Sequence, residues 1–153
     1  MSQARSLNRR TVMLTSIAAA TALSQFAAAT ASATPDSAKE LLKTLARGDA
    51  KEGKIAIRAP EIAENGNTVP VTVTVESPMT DKDHVKAIHV VADGNPNPGV
   101  ASFQLTPLSG KAEVQLRVRM ASTQKILVVA EMSDGSLWSG AREVKVTIGG
   151  CGG

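Results

Sequence analysis

The stretch "VPVTVTV", residues 69–75, alternates without a break. Val69, Val71, Val73 and Val75 fall on one side, and Pro70, Thr72 and Thr74 on the other. Successive side chains of a strand point to opposite faces, so a period of two predicts a strand with one dry face. A helix over the same residues would mix valines and threonines on every face. Pro70 confines this strand to a sheet edge, or stands at the strand's start, because it has no N–H for a ladder.

The same period recurs downstream. In "AEVQLRVRM", residues 112–120, Val114, Leu116, Val118 and Met120 point inward, while Glu113, Gln115, Arg117 and Arg119 point outward. Further strands are predicted over Lys54–Arg58, Val85–Ala92, Ala101–Thr106, Lys125–Met132 and Leu137–Ile148. Turn formers separate them: "ENGN", "SPMTDKD", "DGNPNPG", "PLSG" and "SDG". About seven short strands, with no helices between them, predict an antiparallel β-sandwich. Ahead of the strands, Ala38, Leu41, Leu42 and Leu45 take helical spacing. A short helix is predicted over 37–47, with Ser37 and Glu40 as a capping box and Gly48 at its exit. The polar stretch Asp49–Lys54 reads as the link to the sandwich.

The chain has 153 residues, enough for one domain and a modest core. Phe26, Phe103 and Trp138 are its only aromatics, so the core must be aliphatic, with Trp138 in it or covering a sheet. The formal charge of +3 comes from Arg5, Arg9 and Arg10 in the first 33 residues, where no acid stands. Without those three arginines, 14 basic residues face 14 acidic ones. A neutral body with two aromatics lacks both the electrostatic footprint and the stacking groups of a nucleic-acid binder.

Residues 5–33 read as an export signal. A basic start precedes an uncharged run from Thr11 to Ala33 that ends in Ala31-Ser32-Ala33, a small-x-small cleavage pattern. Arg9-Arg10 before a weakly apolar segment resembles a twin-arginine signal, although Val12 and Met13 stand where Phe and Leu are usual. Such a signal exports proteins already folded, and with no cofactor motif in the chain, a partner is the expected cargo-mate. The predicted organisation is a signal over 1–33, the helix and sandwich over 34–148, and a flexible arm over 149–153. The mature chain is predicted to be periplasmic and free of the membrane.

Several residues invite chemical readings that their contexts do not support. Asp81, Asp83 and His84 are close in sequence, but neighbouring loop residues rarely converge on a metal, and a solvated turn is the expectation. His89 alternates with Ile88 and Val90 as a sheet residue would. Two histidines and one cysteine fall short of a zinc site without carboxylates. Ser37, Ser102 and Ser109 lack a nucleophile-elbow context. Glu61 and Glu64 read as a surface turn. No catalytic residue, metal or cofactor is predicted.

The single cysteine, Cys151, lies in "GGCGG", residues 149–153. Free cysteines are commonly buried small hydrophobes, but four glycines offer nothing to pack against. An exposed thiol in an exported protein risks oxidation and stray dimers, so its retention points to use. Gly149, Gly150, Gly152 and Gly153 clear all bulk from around the sulfur and let a slender arm enter a narrow channel. The thiolate is the nucleophile, and a free cysteine titrates near about 8.5. Nothing basic stands beside Cys151 in sequence, so activation must come from whatever receives the arm. The pattern is that of a covalent carrier. Three rivals remain: an exported binding module with an incidental thiol, a disulfide exchanger, which would need a resolving cysteine, and a lipid anchor, for which "CGG" is one residue short of C-a-a-X.

These features together resemble the SoxY family, sulfur carriers of the bacterial Sox sulfur-oxidation system. The resemblance lies in "GGCGG", "EGKIAIRAPEIAENGNTVPVTVTVESPM", "DGNPNPGVASFQLTPLSGKAEV" and "VAEMSDGSLW", and in the export signal. It implies an immunoglobulin-like sandwich paired with a SoxZ-like subunit that lacks its own signal. It implies that Cys151 carries the sulfur intermediates. By the same resemblance, a haem cytochrome (SoxAX) joins thiosulfate oxidatively to the thiolate, and a dimanganese hydrolase (SoxB) releases sulfate to leave a persulfide. Where a sulfane dehydrogenase (SoxCD) is present, it oxidises the remaining sulfur. The chain itself would be a carrier, not an enzyme.

Overall fold

The computed structural model describes residues 35–147. Helix α1 (Pro35–Ala46) is followed by β1 (Lys51–Glu52), β2 (Ile55–Arg58), β3 (Ile62–Ala63), β4 (Val69–Val75), β5 (Val85–Ala92), β6 (Gly99–Gln104), β7 (Glu113–Val118), β8 (Gln124–Met132) and β9 (Leu137–Val146). Two sheets face each other. The larger runs β1-β9-β8-β5-β6, with β3 also pairing β9; the smaller runs β2-β4-β7. The long strands are those expected from alternation, and the architecture is the immunoglobulin-like sandwich. Among the described residues the strands number nine, not about seven, because β1 and β3 are two-residue pairings too short to show a period.

The valines of β4 are all buried, at 3% exposure or less. They meet Ile88, Val90, Ile126, Val128 and Val144 of the opposing sheet in one aliphatic core. Each valine so buried contributes about 1.5–3 kcal/mol relative to an exposed one. Trp138 packs half-buried against this core. Its indole N–H donates to Ser136 Oγ at 3.3 Å, and Lys54 Nζ lies 4.8 Å from the ring centre.

Pro70 sits in the middle strand of its sheet, not at an edge. The register explains why it is tolerated. Val75 N–H donates to the Ala112 carbonyl, and Glu76 N–H to the Lys54 carbonyl, each at 2.8 Å. With Val73 opposite Val114 and Thr72 opposite Arg58, the odd residues of β4 bond to β7 and the even ones to β2. Pro70 is even, and β2 has ended at Arg58 before reaching it. The missing N–H has no ladder partner to lose.

The second face of β5 and β8 is covered by α1, where Ala38, Leu42 and Ala46 pack on Val91 and Val129. The helix begins at Pro35, two residues before the expected start, with proline in its first turn, where its lack of an N–H costs nothing. Ser37 therefore lies inside the first turn and is not the cap. Arg47, not Gly48, takes the left-handed exit, with φ 56°.

Candidate functional site

Cys151, Gly149, Gly150, Gly152 and Gly153 lie outside the described residues, as do Arg9 and Arg10. What the structure describes is the ground from which the C-terminal segment departs. The last described residue, Thr147, is four positions before Cys151.

Strand β9 is held from both sides up to this point. Along one side it pairs with β8 in an antiparallel ladder, from Leu137 opposite Glu131 to Val144 opposite Gln124. Beyond that ladder, Val146 N–H donates to Thr123 Oγ1 at 3.0 Å. On the other side β3 runs parallel to it, with Ile62 opposite Lys145 and Ala63 opposite Val146. Lys145 N–H donates to the Glu61 carbonyl at 3.0 Å, and Thr147 N–H to the Ala63 carbonyl at 3.1 Å. Thr147 Oγ1 reaches the same carbonyl at 3.4 Å.

Three loops gather at this end of the sandwich. Gly66, in the β3–β4 loop, accepts the Met120 N–H at 2.7 Å. A Cβ on Gly66 would collide with the Met120 carbonyl oxygen and come within 2.9 Å of Val146 Cγ1. The β5–β6 and β7–β8 loops are joined through Gln124, 5% exposed. Its Oε1 accepts from Gly94 N–H at 2.8 Å, and its Nε2 donates to Asn95 Oδ1 at 3.0 Å and to the Ser122 carbonyl at 3.1 Å. Asn95 completes the bridge, donating to the Arg119 carbonyl at 2.6 Å and accepting from Ala121 N–H at 3.1 Å. The "ENGN" segment thus abuts the end of β9 at Val146, while the "DGNPNPG" segment braces the β7–β8 loop. Beside β3 runs a groove of about 480 Å³ bordered by Pro60, Ile62, Ala63, Asn65, Thr68 and Pro70. Ile62 is 55% exposed there.

The groups singled out in sequence scatter accordingly. Asp83 and His84 are tied into a turn: Asp83 N–H donates to Thr80 Oγ1 at 3.1 Å, and His84 Nδ1 lies 3.1 Å from the Thr80 carbonyl. Among the described residues, no three His, Cys, Asp or Glu side chains converge as a metal site would need. Glu61 contributes through its backbone, to β9. Ser109 is exposed in the β6–β7 turn, where its hydroxyl accepts the Thr106 N–H at 3.2 Å. Two carboxyls are held below their usual range, both near the start of β9. Hydrogen bonding and attraction from the Lys43 ammonium, 2.7 Å away, lower Asp49. Hydrogen bonds from Ser136 lower Asp134.

One cluster escaped the sequence reading. His89 is 5% exposed, with Nδ1 2.8 Å from Ser102 Oγ and Nε2 2.9 Å from Glu131 Oε1. Residues 89, 102 and 131 sit on three different strands, and only the register brings them together. No local motif encodes it.

Comparison with known proteins bears on the whole arrangement. The family model described as "Sulfur oxidation protein SoxY" matches residues 38–151. The solved structure of the sulfur carrier protein SoxY from Chlorobium limicola f thiosulfatophilum is 38% identical. It superposes with a TM-score of 0.62, covering 74% of this chain and 96% of that one. A superoxide reductase (neelaredoxin) from Ignicoccus hospitalis, 21% identical, superposes at 0.55 over 74% of this chain and 94% of its own. A putative superoxide reductase from Thermotoga maritima, also 21% identical, gives 0.53 over 65% and 89%. These two share the fold alone. No curated protein sequence matches. With the family match spanning helix, sandwich and terminal cysteine, and a SoxY structure matched over nearly its full length, the chain belongs to the SoxY family of sulfur oxidation proteins.

Proposed function

We propose that this chain is a periplasmic sulfur carrier that holds thiosulfate-derived intermediates covalently on Cys151 and presents them to partner enzymes. The observation that carries the reading is the seating of β9. A strand hydrogen-bonded on both sides as far as Thr147 stands four residues before the chain's only thiol. Four extended residues reach at most about 14 Å. A fixed root and a short glycine-flanked tether deliver a sulfur to a partner without involving the sandwich in the chemistry. The family match supports the reading by extending to residue 151.

The chemistry divides between carrier and partners. The Cys151 thiolate and thiosulfate form a sulfur–sulfur bond with loss of two electrons, which a SoxAX-type haem cytochrome accepts. Water then cleaves the terminal sulfonate as sulfate on a SoxB-type hydrolase, and the thiol side keeps a persulfide. A SoxCD-type dehydrogenase, where present, oxidises the sulfane sulfur before a last hydrolysis restores the thiol. A SoxZ-like subunit accompanies the chain, and Arg9-Arg10 direct export of the folded pair.

The test is the intact mass of protein purified from cells grown on thiosulfate, together with Cys151→Ser. Sulfur adducts confined to Cys151, and loss of thiosulfate-dependent electron release in a normally folded Cys151→Ser protein, are expected. Turnover by purified Cys151→Ser protein would overturn the assignment and leave an exported binding module.

A further inference from the structure

We propose that Ser102 is an activated nucleophile, acylated by electrophilic acyl donors such as activated esters and thioesters, with His89 as its base and Glu131 orienting the imidazole. This site is separate from the Cys151 arm and does not depend on the carrier reading.

The geometry comes from the ladders. His89 lies opposite Ser102 across β5 and β6. The Leu105 N–H donates to the Lys86 carbonyl at 2.9 Å, and that pair has the same parity as Ile88 with Phe103 and Val90 with Ala101. His89 and Ser102 are therefore a non-hydrogen-bonded pair, the kind whose side chains approach most closely. On the other flank His89 lies opposite Val129, and Glu131 is its diagonal neighbour on the same face, within reach of a long side chain.

Hydrogen-bond chemistry then sets the tautomer. An ionised carboxylate only accepts, so an imidazole carrying one proton holds it on Nε2, facing Glu131 at 2.9 Å. Nδ1 is left as an acceptor for the Ser102 hydroxyl at 2.8 Å. The ring is nearly buried, and its orientation is fixed from both ends. Ser102 itself is exposed on β6, the outermost strand of its sheet. Because residues 101 and 103 spend their backbone groups on β5, the Ser102 N–H points to the open edge. A hydroxyl polarised by an oriented imidazole, beside a backbone donor that meets no acceptor among the described residues, is the combination that acyl transfer to serine requires.

The step balances without further components. Ser102 Oγ bonds to the acyl carbon as its proton passes to His89 Nδ1, and the carbonyl oxygen gathers charge near the Ser102 N–H. The bond to the alkoxide or thiolate leaving group breaks, and that group takes the proton from Nδ1. Glu131 stays ionised throughout, as a positioning residue.

The experiment uses the mature chain with Cys151 capped by iodoacetamide, exposed to p-nitrophenyl acetate, with acetylation of each serine followed by peptide mass. Ser102 should acetylate at least about 100-fold faster than exposed Ser109, the scale of general-base assistance. Ser102→Ala should abolish the matching burst of p-nitrophenolate. Glu131→Gln keeps a hydrogen-bonding side chain but removes the charge, and should slow Ser102 acetylation at least tenfold with Ser109 unchanged. Both substitutions are at partly or fully exposed side chains, so folding does not confound them. Equal rates at Ser102 and Ser109, or a Ser102 rate indifferent to Glu131→Gln, would overturn the proposal and reduce the cluster to a strand-pinning contact.

Discussion

Replacing Gly66 by alanine puts the seating of β9 under direct test. The residue has an ordinary backbone conformation, so alanine brings no penalty from φ, and any cost is steric. The added methyl would meet the Met120 carbonyl oxygen on one side and Val146 Cγ1, 2.9 Å away, on the other. The first is backbone, already bound through its own N–H to the Gly66 carbonyl at 2.7 Å, and cannot swing aside like a side-chain tip. One loop must move, and the Val146–Thr123 hydrogen bond lies next to the contact. Overpacking of this kind costs about 1–3 kcal/mol. At roughly 4 °C per kcal/mol for a domain of this size, the midpoint should fall by about 4–12 °C. Urea unfolding at constant m gives the free energy, and a scan gives the midpoint. Gly135→Ala serves as contrast: nothing lies within 4 Å of its Cβ, and its cost arises only from φ 83°. Thiol labelling of Cys151 should keep its wild-type rate in both variants, because neither touches the sulfur. A Gly66→Ala protein as stable as wild type would refute the idea that this glycine is a spacer between Met120 of the β7–β8 loop and Val146 of β9.

Three further outcomes are expected. Gly150→Val should leave stability within about 0.5 kcal/mol and small-reagent labelling of Cys151 near wild type, while slowing loading by the proposed cytochrome and sulfate release by the proposed hydrolase; equal turnover would show that the glycines are not an access device. Arg9-Arg10→Lys-Lys should strand the protein in the cytoplasm, which fractionation and terminal sequencing read directly, and normal processing after Ala33 would count against the twin-arginine route. Ser136→Ala should raise the Asp134 carboxyl towards its ordinary value, followed by NMR titration. The sign follows: a depressed carboxyl stabilises the fold above its unfolded pKa and loses that contribution as the pH falls through its folded pKa. The wild type should therefore lose slightly more stability on acidification than Ser136→Ala.

The legible parts of this chain were those in which burial imposes a period. β4 and β7 announce themselves because every second residue enters an aliphatic core, and α1 because Ala38, Leu42 and Ala46 cover one face of a sheet. Pro70 shows where that reading ends. Sequence permits an edge or a start, and only the early end of β2 decides between them. β1 and β3 were invisible because two residues carry no period, although β3 fastens the end of β9. The His89 relay was invisible for another reason. Its members lie 13 and 42 residues from His89, and their meeting depends on the register of three strands, which no single segment specifies. Cys151 is the reverse case: its glycine setting is plain in sequence, and it lies outside the described residues.

The way β9 is fastened also has a mechanical consequence. Hydrogen bonds in a β ladder lie across the strand axis. A partner that grips the end of the chain and pulls outward along β9 therefore strains the bonds to β8 sideways and together, over the eight paired positions from Leu137 to Val144. Peeling, which breaks bonds one at a time, would need a pull directed away from the sheet. It would also have to strip the contacts from β3 and Thr123 before reaching the first ladder pair. If the proposed carrier role holds, any pull by a partner on the segment beyond Thr147 along the axis of β9 meets this anchorage in its strongest loading direction.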